Sequence, residues 1–125
     1  MIDRRHYLAV VIRLYLESPG APPQASRADW AVATTLYNRE IPLETLAHVL
    51  RLATLRRHRP GEDLEPVHSL AYYRTVLDHL TPEALNPGYV EYVARKYEAL
   101  FGNEAHRTNQ GALSRSQNRA VLDRR

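Results

Sequence analysis

The chain has 125 residues, a net charge of +3 and no cysteine. That length suits a single domain that buries its own core, and the lack of cysteine excludes disulfides, thiol catalysis and thiolate zinc sites. No apolar run approaches the roughly 18 residues that a membrane span needs. The composition therefore predicts a cytoplasmic protein without a membrane partner.

The charge is unevenly distributed along the chain. Residues 1–60 carry nine arginines against five carboxylates, residues 61–105 carry three cations against eight carboxylates, and residues 106–125 carry five arginines against one carboxylate. All the cations except Lys96 are arginines, whose planar fork suits phosphate or carboxylate. A GC-rich genome produces the same bias through codon usage. Two basic stretches thus flank an acidic one.

Two helices are predicted in the first forty residues. Residues 2–17 repeat apolar side chains at i, i+4, i+7 and i+8 from Tyr7, which lines one helical face. After a break at residues 18–25, Ser26 and Asp29 have the spacing of a capping box. A second helix is expected from there to residue 38. Its expected inner face consists of Trp30, Ala33 and Tyr37.

The third predicted helix is the centre of the expected fold. Ile41-Pro42 suits a helix start, since proline there loses no hydrogen bond. From Leu43 the apolar residues cover most of the circumference, which is typical of a central helix. The remaining narrow polar stripe consists of Glu44, His48 and Arg51. The helix is expected to end in the basic run Arg56, Arg57, His58 and Arg59.

Two more helices are predicted at residues 69–80 and 89–101. A short turn is expected at Thr81-Pro82-Glu83, and Asn86-Pro87-Gly88 is expected to interrupt it before the fifth helix. The expected buried residues of the fifth helix are Tyr89, Val93, Tyr97, Leu100 and Phe101. No alternating β-branched run is present. The predicted fold class is therefore all-α, a compact bundle of five main helices.

A basic tail is predicted to follow the helical domain. Residues 103–125 contain three large apolar residues and many Asn, Gln, Ser, Gly and Arg residues. Such a composition favours a mobile segment over a packed one. The predicted domain organisation is one helical domain at residues 1–102 and a flexible basic tail at residues 103–125.

The sequence contains no recognisable catalytic or metal-binding motif. Its six histidines never fall at i, i+3 or i, i+4 from one another, as helical zinc ligands do. It has no glycine-rich phosphate loop, no Gly-x-Ser-x-Gly and no His-x-His pair. We therefore predict no enzyme activity, catalytic residues, metal or cofactor.

Arginine is the residue type that indicates a binding function. Phosphate contacts supply most of the affinity in non-specific nucleic-acid binding. The predicted contacts are Arg51, Arg56, Arg57 and Arg59 at the third helix and Arg107, Arg115, Arg119, Arg124 and Arg125 in the tail. Two explanations of these arginines that need no nucleic acid remain open. Cations also complement the negative end of a helix dipole, and a basic tail also aids solubility.

Three segments carry a resemblance to a known family: Ser26-x-x-Asp29-Trp30, Ile41-Pro42-Leu43-Glu44, and Pro66-Val67-His68-Ser69-Leu70-Ala71-Tyr72-Tyr73. Their order over residues 7–80 resembles the helical domains of DnaD-type replication-initiation and primosome proteins, and some short uncharacterised bacterial helical proteins. The resemblance implies that DNA contacts the region beyond Leu80 and the basic tail. The winged-helix domain that usually precedes this module has no counterpart in these residues, which implies an accessory role.

Two functions are therefore predicted. The first is a non-catalytic protein that associates with DNA in replication or in a mobile element. The second is a protein–protein adaptor or self-associating module, in which the acidic middle third and the aromatic residues Tyr72, Tyr89 and Tyr92, taken as exposed, form a docking face.

Overall fold

The structure, a computed structural model, describes residues 2–102. In this range all regular structure is helical, which confirms the predicted all-α class and its five helices. The helices are α1 (Arg4–Glu17), α2 (Arg27–Asn38), α3 (Leu43–Arg57), α4 (Ala71–Asp78) and α5 (Pro87–Tyr97). A 3₁₀ turn at Pro82–Leu85 precedes α5, and a π-helical turn at Glu98–Gly102 extends it. The predicted tail at residues 103–125 lies outside the described residues.

Local sequence signals fix the helix starts. The predicted capping box is confirmed, because Ser26 N donates to Asp29 Oδ2 at 2.9 Å and Asp29 N donates to Ser26 Oγ at 3.1 Å. The short turn is interrupted at Asn86, as expected, but Pro87 and Gly88 belong to α5. Asn86 Oδ1 accepts from Gly88 N at 2.9 Å and caps α5, with proline at the first helical position. The fifth helix therefore begins at Pro87, two residues earlier than predicted.

Helix α3 lies at the centre of the fold, as predicted. It packs against α1 and α4 on one side and against α5 on the other. The main core cluster lies on the first side and includes Tyr15, Leu36, Val49, Ala53 and Leu70. On the second side, Leu52, Ala84, Val93 and Phe101 are buried outside that cluster. Burial on both sides explains the near-continuous apolar circumference of α3.

The inner face of α2 differs from the prediction. The side chain of Trp30 is 43 % exposed, whereas Asp29, Val32, Ala33 and Leu36 are buried. Asp29 is turned inward because its second carboxylate oxygen, Oδ1, accepts from the buried backbone N of Leu70 at 2.9 Å. Trp30 is about 100° further around the helix, and so it points outward.

The polar stripe expected on α3 is interrupted by a buried histidine. Glu44 is exposed and Arg51 partly exposed, but only 1 % of the His48 side chain is accessible. Its Nε2 lies 2.7 Å from the Ala84 carbonyl oxygen, to which it donates. The 3₁₀ turn before α5 supplies this carbonyl and covers the ring, a long-range contact that a periodicity argument cannot detect.

The expected burial on α5 was partly wrong. Val93 and Phe101 are buried, but Tyr89 and Leu100 are 37 % and 44 % exposed. Tyr89 therefore fits the other expectation, that it is an exposed aromatic residue. Tyr89 meets the buried His48 ring in an edge-on arrangement, with ring centroids 6.2 Å apart.

A long connection without regular structure joins α3 to α4 and is held by three polar contacts. Val67 N donates to the Gly20 carbonyl at 2.8 Å, Leu70 N donates to Asp29, and Arg57 donates to the Glu65 carbonyl. Gly20 has a φ of +84°, and a Cβ there would lie 3.1 Å from the Glu65 oxygen. Both the backbone angle and the close approach therefore favour glycine at this position.

Tyr15 of α1 is fully buried. Its ring packs edge-on against Tyr73 at 6.1 Å, and its hydroxyl has no hydrogen-bond partner among the described residues. Burial raises the pKa of Tyr15 to about 12, and the negative charge of Asp29 and then Tyr73 add to the effect. The neutral phenol is thus favoured in the fold relative to the unfolded chain.

The raised pKa of Tyr15 predicts a loss of stability at alkaline pH. A folded pKa above the unfolded value gives a stabilisation that is complete below about pH 10 and lost as pH rises through about 12. We expect the free energy of unfolding of the wild type to fall over this window by roughly 2–3 kcal/mol more than that of Tyr15→Phe. Urea denaturation at several pH values measures this difference. Parallel pH profiles for the two proteins would contradict it.

Candidate nucleic-acid interface

The basic run predicted at the end of α3 divides into outward and inward side chains. Arg56 and Arg59 are exposed. Arg59 Nη1 donates to the carbonyls of Arg56 at 2.9 Å and His58 at 3.2 Å. Arg59 therefore folds back over the free carbonyls of the last turn, where a cation also complements the helix dipole. The two arginines form one short basic surface, which we call the α3 basic end.

Arg57 points away from that surface. Its guanidinium donates to the carbonyl oxygens of Glu65 and of Pro19, the latter at 3.2 Å. It also lies 3.5 Å from the hydroxyls of Thr54 and Tyr73. These contacts use the donors that a phosphate would need. Arg57, predicted as a phosphate contact, is thus placed to hold the α3–α4 connection.

Arg51 also lies apart from the α3 basic end. It is partly exposed and precedes Arg56 by five residues, which corresponds to a rotation of about 140° around the helix. The structure therefore brings Arg56 and Arg59 together but directs Arg51 elsewhere. The other predicted contacts, Arg107, Arg115, Arg119, Arg124 and Arg125, lie outside the described residues.

Helices α3 and α5 run parallel, so that both end at the same place. His48 contacts Tyr89 near the start of α5, and His58 contacts Phe101 after its end, with ring centroids 6.2 Å and 5.6 Å apart. Gly102, the last described residue, follows Phe101 directly. The sequence that contains the five remaining predicted arginines is thus joined to the chain beside the α3 basic end.

Acidic residues limit the extent of positive charge here. Glu62, Asp63 and Glu65 follow the α3 basic end in the chain, and all three are exposed. The field around the end of α3 is therefore not uniformly positive, and local contacts matter more than the net charge of this half of the chain.

A concave feature in the described part of the chain lies at the opposite end of α3. It is an open cleft of about 650 Å³. Its walls are mainly apolar, with Tyr7 and Tyr37 in edge-on contact at 5.4 Å, and Glu40 and Glu44 lie on its rim. The described residues that line it include two carboxylates and no arginine or lysine, so that it does not suit a phosphate.

A row of exposed side chains on α5 was only partly recognised from the sequence. Tyr89, Tyr92 and Lys96 are spaced at i, i+3 and i+7 within α5, which places them on one helical face. We call this row the tyrosine ridge. Its two tyrosines were predicted as exposed aromatics together with Tyr72. Tyr72 lies instead on α4, against Tyr73 and below the Arg57 guanidinium.

No three His, Asp or Glu side chains within residues 2–102 are grouped so that they could hold a metal ion. No helix in this range has the length and apolar character needed to cross a membrane.

No protein-family model, curated protein or solved structure matches this chain. The resemblance to DnaD-type helical domains therefore stays a prediction.

Proposed function

We propose that this chain is a non-catalytic, cytoplasmic accessory protein that associates with DNA in replication or in a mobile element. It contacts phosphates through Arg56 and Arg59 at the α3 basic end and through the arginines of residues 103–125. The observation that carries the proposal is the contact between His58 and Phe101. Because of this contact, the arginine-rich segment begins beside the exposed arginines of α3.

Arginine chemistry supports phosphate as the ligand. Arg56 and Arg59 are exposed, and a guanidinium presents several N–H donors in a fixed plane that matches phosphate oxygens. Arg59 uses only Nη1 on the carbonyls of Arg56 and His58, which leaves its Nη2 and Nε donors for phosphate. Such contacts position DNA without reading its sequence. The proposed binding is therefore non-specific, and its strength depends on the number of phosphates neutralised.

The salt dependence of binding tests this proposal. The slope of log K against log salt is about −0.9 for each phosphate neutralised on duplex DNA. We expect Arg56→Ala/Arg59→Ala to make this slope shallower by about 2 and to weaken binding to all sequences alike. Replacing the five arginines after residue 102 by glutamine in the full-length chain is expected to reduce the slope by about 3–5. Fluorescence anisotropy at several salt concentrations measures both effects.

The matched control is Arg13→Ala, which removes an exposed arginine of α1. Its salt slope is expected to equal that of the wild type. An equal decrease of the salt slope in the control and in the Arg56/Arg59 variant would show that only net charge matters for DNA binding. Absence of binding by the wild type at low salt would refute the proposed function.

The second candidate is a protein–protein adaptor or self-associating module. Its support is the exposure of Tyr72, Tyr89 and Tyr92, which is 38 %, 37 % and 48 %, since tyrosine is enriched at the energetic centres of interfaces. Self-association would appear in light scattering as a mass that rises with protein concentration. A monomer at every salt and protein concentration would count against self-association.

A further inference from the structure

We infer that the tyrosine ridge of α5 binds unpaired bases, so that the DNA held by this protein is single-stranded where it crosses α5. This inference rests on the proposed function and adds a strand preference to it. It concerns a surface that is separate from the α3 basic end.

The two tyrosines of the ridge form a ready stacking surface. The rings of Tyr89 and Tyr92 lie nearly parallel, with centroids 6.1 Å apart and planes inclined by 27°. Tyr92 is 48 % exposed, more than any other Phe, Trp or Tyr in the described range. An exposed, preoriented ring gives a base an apolar surface at little cost in side-chain entropy.

A cation accompanies the rings and favours nucleic acid over an apolar protein surface. Lys96 Nζ lies 5.8 Å from the centre of the Tyr92 ring and 3.5 Å from its hydroxyl. Arg95, the next exposed cation, precedes it on the same turn. A base on Tyr92 would therefore have a cation close to its phosphate, the combination of stacking surface and positive charge that single-strand binding uses.

The ridge leads towards the α3 basic end. From Tyr92 to Phe101 the chain advances by about 12–14 Å along the helix axis, and Phe101 contacts His58 there. Tyr92 is exposed whereas Phe101 is buried against His58, so the two side chains lie on different sides of the helix. A single strand that places bases on the ridge and phosphates at Arg56 and Arg59 must therefore cover more than this axial distance, which takes at least about four nucleotides at roughly 3.4 Å each. A duplex keeps its bases inside the helix and has none free to stack on the ridge.

The test compares a single-stranded oligonucleotide of about 12 thymidines with a duplex of equal length. We expect Tyr92→Ala in the full-length chain to weaken single-strand binding about tenfold and Tyr89→Ala/Tyr92→Ala to weaken it further. Duplex affinity should change less than about twofold in either variant. An oligonucleotide of about three thymidines is too short to span both surfaces and should bind weakly to the wild type.

Two substitutions separate stacking from apolar burial. Tyr92→Phe keeps the aromatic face and should bind like the wild type, whereas Tyr92→Leu keeps apolar area without that face and should bind like Tyr92→Ala. Photocrosslinking to an iodouracil-containing strand should label the peptide that contains Tyr89 and Tyr92. Circular dichroism checks that each variant is folded, and Tyr92 serves better than Tyr89 because it does not cover His48.

Several results would overturn the inference. Wild-type binding by Tyr92→Leu would show that stacking is not used, and equal losses for single strand and duplex would remove the strand preference. Loss of self-association in the ridge variants, with DNA affinity unchanged, would make the ridge a protein interface. If Arg56→Ala/Arg59→Ala reduces the salt slope while the ridge variants bind normally, the proposed function stands and this inference fails. If the wild type binds neither single-stranded nor duplex DNA, both the proposed function and this inference fail.

Discussion

Replacing Asp29 by alanine is expected to lower the free energy of unfolding by about 3–5 kcal/mol. One oxygen of this carboxylate accepts from Ser26 N within the capping box, and the other accepts from Leu70 N across 41 residues of sequence. Each bond to a charged acceptor contributes about 1.5–3 kcal/mol. The alanine variant also leaves the Leu70 N–H, in a residue that is 2 % exposed, without a partner.

The matched control for this prediction is Ser26→Ala. Its hydroxyl accepts only from Asp29 N, within the same helix turn, and the loss of such a cap costs about 1 kcal/mol. Urea denaturation followed by far-ultraviolet circular dichroism gives both values. Equal losses in the two variants would mean that the bond from Leu70 to Asp29 contributes nothing to stability.

Asp29 also shows how far the sequence predicts this fold. The capping box follows from local spacing, as do the central position of α3 and the helix breaks, because each depends on residues within a few positions. The contact with Leu70 depends on how α2 and α4 meet, which no local pattern contains. The outward position of Trp30 has the same origin. The burial of Trp30 was therefore mispredicted, because a long-range polar contact determines which side of α2 points into the core.

The candidate interface could be predicted only in part for a related reason. The arginines at the end of α3 are evident in the sequence, but their directions depend on what surrounds each of them. Arg57 is drawn inward by the carbonyls of Glu65 and Pro19, while Arg56 and Arg59 stay exposed. The proximity of the ends of α3 and α5 also cannot be read from a local pattern. It depends on the parallel packing of two helices that are about 40 residues apart in the chain.

Arg57→Ala is expected to lower the free energy of unfolding by about 2–4 kcal/mol. The substitution removes donors from the carbonyls of Glu65 and Pro19, and so detaches the end of α3 from the α3–α4 connection and from the loop that follows α1. Arg57→Lys should recover only part of the loss, because an ammonium group is a point charge that cannot replace a planar fork at two separated carbonyls. Urea denaturation of the three proteins tests this order, and equal stability of the alanine variant and the wild type would contradict it.

The same substitution distinguishes a structural arginine from a DNA-binding one. Under conditions in which it is folded, Arg57→Ala should keep the wild-type salt slope for DNA, because its guanidinium is already occupied by the protein's own carbonyls. Arg56→Ala/Arg59→Ala should show the reverse, a shallower salt slope with a change in stability of less than about 1 kcal/mol, since helix-end cations contribute little. A shallower slope for Arg57→Ala would mean that this arginine leaves its intramolecular contacts to bind phosphate. The basic run would then act as one unit, as its spacing in the sequence first suggests.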